Sequence, residues 1–249
     1  MKRKNILITG ASSGLGYTMA KLYAEQGRNL ALCARRVENL ETLKQEIAKT
    51  NPEVKVSIRP LDVNDHDQVF EVFKQFENDL GQIDRVIVNA GMGKGASLGT
   101  GYFNANKATA ITNFVSAIAQ CEAALEIFRK QNHGHLVMIS SVSAARGQRR
   151  AMTVYAASKA AVSSLTEGIQ IDLLGSPIKA TTIQPGFIRS EINEKVKKVP
   201  FIVDTETGCK AILKAIEKEG KSYCVPSWPW SFMWPLMKIM PQKWMAKMS

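Results

Sequence analysis

The chain has 249 residues, of which 45% are hydrophobic, and Lys+Arg exceed Asp+Glu by 33 to 22, a net charge of +11. That length buries a large core in one α/β domain or two small ones, and no stretch is polar or simple enough to read as disordered. The positive balance admits an anionic membrane surface or a phosphorylated cofactor. Nucleic acid is disfavoured, because neither aromatic-studded basic runs nor Cys/His finger spacings occur.

The N-terminal apolar run is too short for a signal peptide, and no run approaches the roughly 18 apolar residues of a spanning helix. Cys33, Cys121, Cys209 and Cys224 are scattered without metal-ligand spacing and read as reduced thiols of a cytoplasmic protein. No metal site is expected.

Ile6-Leu7-Ile8 is a continuous apolar run stopped by Thr9-Gly10, the pattern of a buried parallel strand. Gly10-Ala-Ser-Ser-Gly14-Leu-Gly16 follows, then a helical pattern closing at Gly27 and a second strand, Leu30 to Ala34. Glycines between a strand and a helix give a tight turn, let the backbone approach a pyrophosphate, and aim a helix N-terminus at its charge. The second strand ends in Arg35-Arg36, with no acid until Glu38. A carboxylate there would bind the ribose hydroxyl of NAD, whereas arginine accommodates the 2′-phosphate of NADP, so NADP(H) is preferred over NAD(H).

A third strand is expected over 54–58, running into Leu61-Asp62-Val63, then a helix from about Asp65 to Leu80. Residues 84–88 predict a fourth strand ending in Asn89-Ala90-Gly91, and about 102–130 a long helical region with Asn113 in its middle. Gly134 to Ser141 reads as a fifth strand with two hydroxyls at its carboxyl end, where open α/β sheets bind ligands. Tyr155 and Lys159 then lie four apart in a helical segment ending near Gly175, which puts phenol and ammonium on one face. A lysine so placed favours the phenolate and lowers the tyrosine pKa, the way a tyrosine becomes a general acid/base.

Residues 178–183 predict a sixth strand stopped by Gln184-Pro185-Gly186, 187–200 a mobile helix or lid, 204–219 a helix, and 222–225 a last strand. Strands alternating with helices define a single doubly wound, Rossmann-type α/β domain: a parallel seven-stranded sheet with helices on both faces.

Taken together these segments resemble a short-chain dehydrogenase/reductase of the ~250-residue type over about residues 4 to 225. The motifs that carry the resemblance are Thr9 to Gly16, Asp62-Val63, Asn89-Ala-Gly91, Asn113, Ser140-Ser141, Tyr155-x-x-x-Lys159 and Pro185-Gly186. The resemblance implies a catalytic set of Asn113, Ser141, Tyr155 and Lys159. In it Tyr155 gives the proton, Ser141 binds the carbonyl, Lys159 holds the nicotinamide ribose and lowers the tyrosine pKa, and Asn113 positions a water.

It further implies cofactor contacts from Gly10, Ser12, Ser13, Gly14, Leu15, Gly16, Arg35, Arg36, Asp62, Val63, Asn89, Ala90, Gly91, Tyr155, Lys159, Pro185, Gly186, Ile188 and Ser190. Ser13 stands where NADP-binding relatives often carry a basic residue, which leaves most of the phosphate recognition to Arg35. The spacing between Ser141 and Tyr155 is one residue longer than the family pattern, so Ser141 and Ser143 both remain candidates to face substrate. The implied reaction is NADPH-dependent interconversion of a small-molecule carbonyl and alcohol, in a dimer or tetramer. The alternatives are a binding or regulatory protein without turnover, and an epimerase or dehydratase on the same scaffold.

The resemblance defines a catalytic domain over 1–225 and stops there. The tail, 226–249, holds all four tryptophans (Trp228, Trp230, Trp234, Trp244), and its only charges are Lys238, Lys243 and Lys247. Pro229, Pro235 and Pro241 cut it into pieces too short to span a bilayer. Two readings stand for residues 228–249: peripheral contact with a membrane interface, or a cover over the substrate cleft or a subunit contact. Either one hints at a lipophilic substrate.

Overall fold

The computed structural model describes residues 3–190 and 201–248. Within them the strands are β1 (Asn5–Thr9), β2 (Asn29–Ala34), β3 (Val56–Pro60), β4 (Arg85–Val88), β5 (Gly134–Ile139), β6 (Ile178–Pro185) and β7 (Ser222–Val225). They form one sheet in the order β3-β2-β1-β4-β5-β6-β7, every neighbouring pair parallel. The chain travels outward from β1 to β3, then returns to lay β4 on the other side of β1. That reversal opens a crevice at the carboxyl ends of β1 and β4, the ligand position of such sheets.

Strand pleating sends alternate residues to opposite faces, and each face is buried under helices. Ile6 and Ile8 of β1 join a cluster with α1 (Gly14–Glu25), α2 (Val37–Thr50) and α7 (Thr205–Ile216). Leu7 points the other way, into a cluster with α3 (His66–Leu80), α5 (Ser116–Gln131) and α6 (Met152–Asp172). The stripe Val69, Val72, Phe73 and Phe76 buries α3, and Asp65 caps it by accepting from the Gln68 backbone N–H at 3.1 Å.

The helix expected over 102–130 is instead three pieces. Between α4 (Phe103–Ala110) and α5 lies a π-helical turn, Ile111–Val115, with Asn113 buried in it. A single inserted residue leaves the apolar periodicity nearly intact, which hides it from a pattern reading, and such turns recur at functional sites. The lid expected over 187–200 lies, for residues 191–200, outside the described residues. The tail forms α8 (Ser227–Ile239), with Trp228 in a non-helical conformation, and α9 (Gln242–Met248). Among the described residues no helix is long and apolar enough to cross a membrane.

At the opposite end of the sheet from the crevice lies a polar network that no local pattern announces. Arg85 is fully buried; its Nε donates to His135 Nδ1 at 2.9 Å and its Nη2 to Glu219 at 3.2 Å, while Nη1 pairs with Glu217. Arg85 therefore fixes the His135 tautomer: Nδ1 accepts, and Nε2–H donates to Thr181 Oγ1 at 2.8 Å. Thr181 passes its own proton to the Gly220 carbonyl at 2.6 Å.

Burial, and then the Arg85 charge, push the His135 pKa down from 6.5 to about 3. Burial would raise Glu219, but its bond from Arg3 and the nearby positive charges outweigh this and bring it to about 2. Both folded-state values are depressed, so between them and the ordinary values the unfolded chain binds more protons. The stabilisation from His135 is complete above about pH 6.5 and falls away as pH drops; that from Glu219 follows below about pH 4.5. The melting temperature is therefore expected to decline from pH 6.5 downward, and less steeply in His135→Gln. A wild-type melting temperature flat from pH 7 to 4.5 would contradict this.

Candidate functional site

The crevice is walled first by the glycine loop. Asn89, just past β4, donates through Nδ2 to the carbonyls of Thr9 (2.9 Å) and Gly10 (3.3 Å), while the Thr9 hydroxyl accepts from the backbone N–H groups of Asn89 and Ala90, both at 3.1 Å. Thr9 opens the glycine motif, and its role in lacing β1 to β4 emerges only from the structure. A Cβ on Gly16 would sit 2.4 Å from the Gly10 carbonyl oxygen and 2.7 Å from Asn89 Nδ2, so only glycine fits this turn. Ser13 gives α1 no side-chain cap, and the first turn holds no acidic residue. The backbone N–H groups there suit an anionic ligand, which fits a nucleotide pyrophosphate.

The two arginines after β2 behave differently. Arg36 is drawn onto the glycine loop, donating to Ser13 Oγ at 2.5 Å and Ser12 Oγ at 3.4 Å. The Arg35 side chain is 74% exposed, with a loose 3.9 Å pairing to Asp62. Asp62 also accepts from the Asn64 backbone N–H at 3.0 Å, and Val63 is buried beside it. Leu15 packs against the core, whereas Ser190 is the nearest group to a Cβ built on Gly14, at 3.7 Å, and so reaches the same loop from beyond β6. Ile188 is buried and bridges Val203.

The second wall carries the titratable groups. Ser141, after β5, accepts from the Ser143 backbone N–H at 3.1 Å and starts a 3-10 turn, Val142–Ala145. The Ser141 side chain lies beside the Tyr155 hydroxyl and acts to lower its pKa. Ser140 turns away, bonding the Lys159 carbonyl (2.9 Å) and Ser163 Oγ (2.8 Å). Asn113 clamps Met92, accepting from its N–H at 2.8 Å and donating to its carbonyl at 2.9 Å, and reaches Ser158 Oγ at 3.1 Å. Asn106 grips the next part of that loop, accepting from the Ala96 N–H at 3.1 Å and donating to its carbonyl at 3.2 Å. Gly91 lies against both Asn113 Oδ1 and Lys159 Nζ.

One expectation is corrected. Tyr155 and Lys159 share a helix face, but Lys159 Nζ donates to the Ile139 carbonyl at 2.8 Å and lies 6.0 Å from the centre of the Tyr155 ring. The ammonium is anchored to the carboxyl end of β5. Burial pushes the Tyr155 pKa up, the Ser141 hydrogen bond offsets part of this, and the predicted lowering by Lys159 is not seen. Burial brings Lys159 down from 10.5 to about 8. At neutral pH the site thus holds a protonated phenol beside a lysine that is still mostly a cation.

The tail packs on the turn after β6. Trp230 of α8 is 3% exposed, and its indole lies where a Cβ of Gly186 would be, 2.0 Å from Nε1. The ring meets Phe187 edge-on at 5.4 Å and Phe201 at 6.3 Å. The Pro185-Gly186 turn after β6 is thereby backed by an aromatic cluster. Sequence reasoning placed Trp230 in the tail but had no signal for this contact.

A doubly wound sheet with a glycine loop at its switch point and a Ser-Tyr-Lys group across the crevice defines a nucleotide-binding α/β protein with acid/base groups. The family model described as short chain dehydrogenase matches residues 4–200. The chain is 48% identical over 241 residues to an uncharacterized oxidoreductase of Mycobacterium tuberculosis, covering 97% of this chain and 95% of the relative. Among solved structures, the NADPH-dependent 3-quinuclidinone reductase of Rhodotorula rubra aligns with TM-score 0.80 at 26% identity, over 91% of each chain. The alcohol dehydrogenase of Thermococcus sibiricus, complexed with 5-hydroxy-NADP, aligns with TM-score 0.81 at 24% identity, over 91% of this chain and 97% of that one, and shows the fold. The chain belongs to the short-chain dehydrogenase family and is an oxidoreductase.

Proposed function

We propose that the protein is an NADP(H)-dependent reductase, interconverting a lipophilic carbonyl compound and its secondary alcohol. The observation that carries this reading is the meeting of the Ser141 and Tyr155 hydroxyls, with the Lys159 ammonium behind them, across the crevice from the glycine loop. Residues 1–225 form the catalytic domain in this reading, and Trp230 of the appended segment walls its substrate side.

A bound nicotinamide supplies a hydride to the carbonyl carbon. The protein supplies the proton and the geometry. Ser141 donates to the carbonyl oxygen and holds it against Tyr155, whose phenol gives up its proton there. Burial suits this role, because it keeps the phenol protonated until a developing alkoxide needs it. Lys159, anchored on the Ile139 carbonyl 6.0 Å from the centre of the Tyr155 ring, would hold the nicotinamide ribose and so set the cofactor against the phenol. Asn113, pinned to Met92 and Ser158, fixes the π-helical turn next to Lys159. A binding module without turnover would gain nothing from this hydroxyl pair and its lysine.

The glycine loop would hold the pyrophosphate, Arg36 would brace that loop, and Arg35 would take the 2′-phosphate. The Rhodotorula rubra 3-quinuclidinone reductase, which is NADPH-dependent, agrees with this assignment. The Trp230, Phe187 and Phe201 cluster supports an apolar substrate. Loss of NADPH absorbance on mixing the purified protein with a panel of aliphatic, aromatic and cyclic ketones tests the reading; no consumption with any of them would reject it.

Arg35→Asp isolates the cofactor choice. A bond to a charged partner contributes about 1.5–3 kcal/mol, so the NADPH-over-NADH ratio of kcat/KM is expected to fall roughly 10- to 100-fold. An unchanged ratio would remove Arg35 from phosphate recognition while leaving the carbonyl chemistry standing.

A further inference from the structure

Among the described residues, none covers the outer face of α8. Its inner side packs through Trp230 and Met237, 3% and 6% exposed, but Phe232 (66%), Leu236 (42%) and Ile239 (79%) point outward. Their spacing of four and three puts them in one stripe, with Trp228 (77%) before it and Trp244 of α9 (63%) beyond. A helix apolar on both sides is normally covered on both.

The charges of the tail itself are of one sign. No Asp or Glu follows Glu219 in the sequence, and Lys238 and Lys243 are exposed on α8 and before Trp244. Lys238 Nζ stands 3.8 Å from the centre of the Trp234 ring, which holds an ammonium at the border of the apolar surface. Arg146, from the loop after Ser141, donates to the Lys238 carbonyl and brings a third cation to the same helix end.

These features separate two possible covers. A second copy docking about a twofold axis would set this patch against itself, and so Arg146, Lys238 and Lys243 against like charges with no carboxylate in the tail to pair them. An anionic lipid surface offers apolar chains to the stripe and negative headgroups to its flanks. Tryptophan with lysine at one border is the composition of a membrane interface. At 13 residues, α8 is suited to lying in that interface and is far too short to cross it.

We propose that the outer face of α8, with Arg146, Lys238 and Lys243, is a docking surface for anionic lipid membranes. The proposal stands on the tail alone and does not depend on the reaction assigned to the site.

All four tryptophans lie in the tail, so their emission reports directly on its burial. The full chain is titrated with phosphatidylcholine vesicles with and without phosphatidylglycerol, at low and high salt, and floated on a density gradient. The expected result is flotation and a blue shift with the anionic vesicles, weakened by salt and slight with the neutral ones. Each lysine near such a surface contributes about fivefold in affinity, so Lys238→Gln/Lys243→Gln should weaken binding roughly 25-fold.

Phe232→Ser/Ile239→Ser should abolish it, with an unchanged circular dichroism melt because both side chains are exposed. No flotation with anionic vesicles, or equal flotation with neutral ones, would overturn the proposal. So would an oligomer that the Phe232→Ser/Ile239→Ser chain fails to form while neither protein binds vesicles; the face would then be a contact between copies.

Discussion

Tyr155→Phe is expected to lower kcat by about 10²- to 10⁴-fold, the range that general acid catalysis contributes, while leaving NADPH affinity near wild type. The substitution removes one oxygen. The ring keeps its packing, and Lys159 keeps its bond to the Ile139 carbonyl, which does not involve the phenol. What goes is the proton that Tyr155 delivers and the hydrogen bond shared with Ser141. Steady-state rates with the best ketone, beside a fluorescence titration of NADPH, separate chemistry from binding. Turnover within a few-fold of wild type would show that another group donates the proton.

The largest effect on stability is expected at the other end of the sheet. Arg85→Met fills much of the same space but leaves Glu217, Glu219 and His135 Nδ1 without their shared donor. Tyr23, whose hydroxyl lies 3.3 Å from Arg85 Nη1, loses the same partner. Breaking a buried ion pair from one side costs about 3–5 kcal/mol; Glu217 and Glu219 are partly exposed and Glu219 keeps Arg3, so the lower end, about 3 kcal/mol, is expected. In a domain of this size that amounts to roughly 10 °C in melting temperature. Adding Glu217→Gln and Glu219→Gln to Arg85→Met should recover part of the loss, since the stranded charges then disappear. A fall below about 1 kcal/mol in Arg85→Met would mean that water replaces the guanidinium at little cost. The network is at the end of the strands opposite the crevice, so kcat at low temperature should change little.

The outline of the fold was legible because its signals are local. Ile6 to Ile8 is uniformly apolar since β1 is buried on both faces, and the small residues of the glycine loop sit where a turn must be tight. Tyr155 and Lys159 were legible as a pair on one helix face. The rotamer of Lys159 was not, because the Ile139 carbonyl that captures it comes from a strand 20 residues away. Arg85, His135 and the pair Glu217 and Glu219 are assembled from three distant segments, so each alone looks like an ordinary charged or polar residue of a strand or helix end. The π-helical turn at Asn113 and the fit of Trp230 on Gly186 were hidden for the same reason. Composition marked the tail as unusual, but which of its residues face inward depends on packing against the loops after β5 and β6.

The central claim is that Ser141, Tyr155 and Lys159 serve a reduction at a carbonyl carbon with NADPH as the electron source. The most direct measurement is mass spectrometry of the alcohol formed from an unlabelled ketone in the presence of NADPH deuterated at C4 of the nicotinamide. Wild-type protein is expected to place a deuterium on the carbinol carbon in a single stereochemical sense, and Tyr155→Phe almost none. Alcohol without deuterium, or no alcohol from any ketone of the panel, would contradict it.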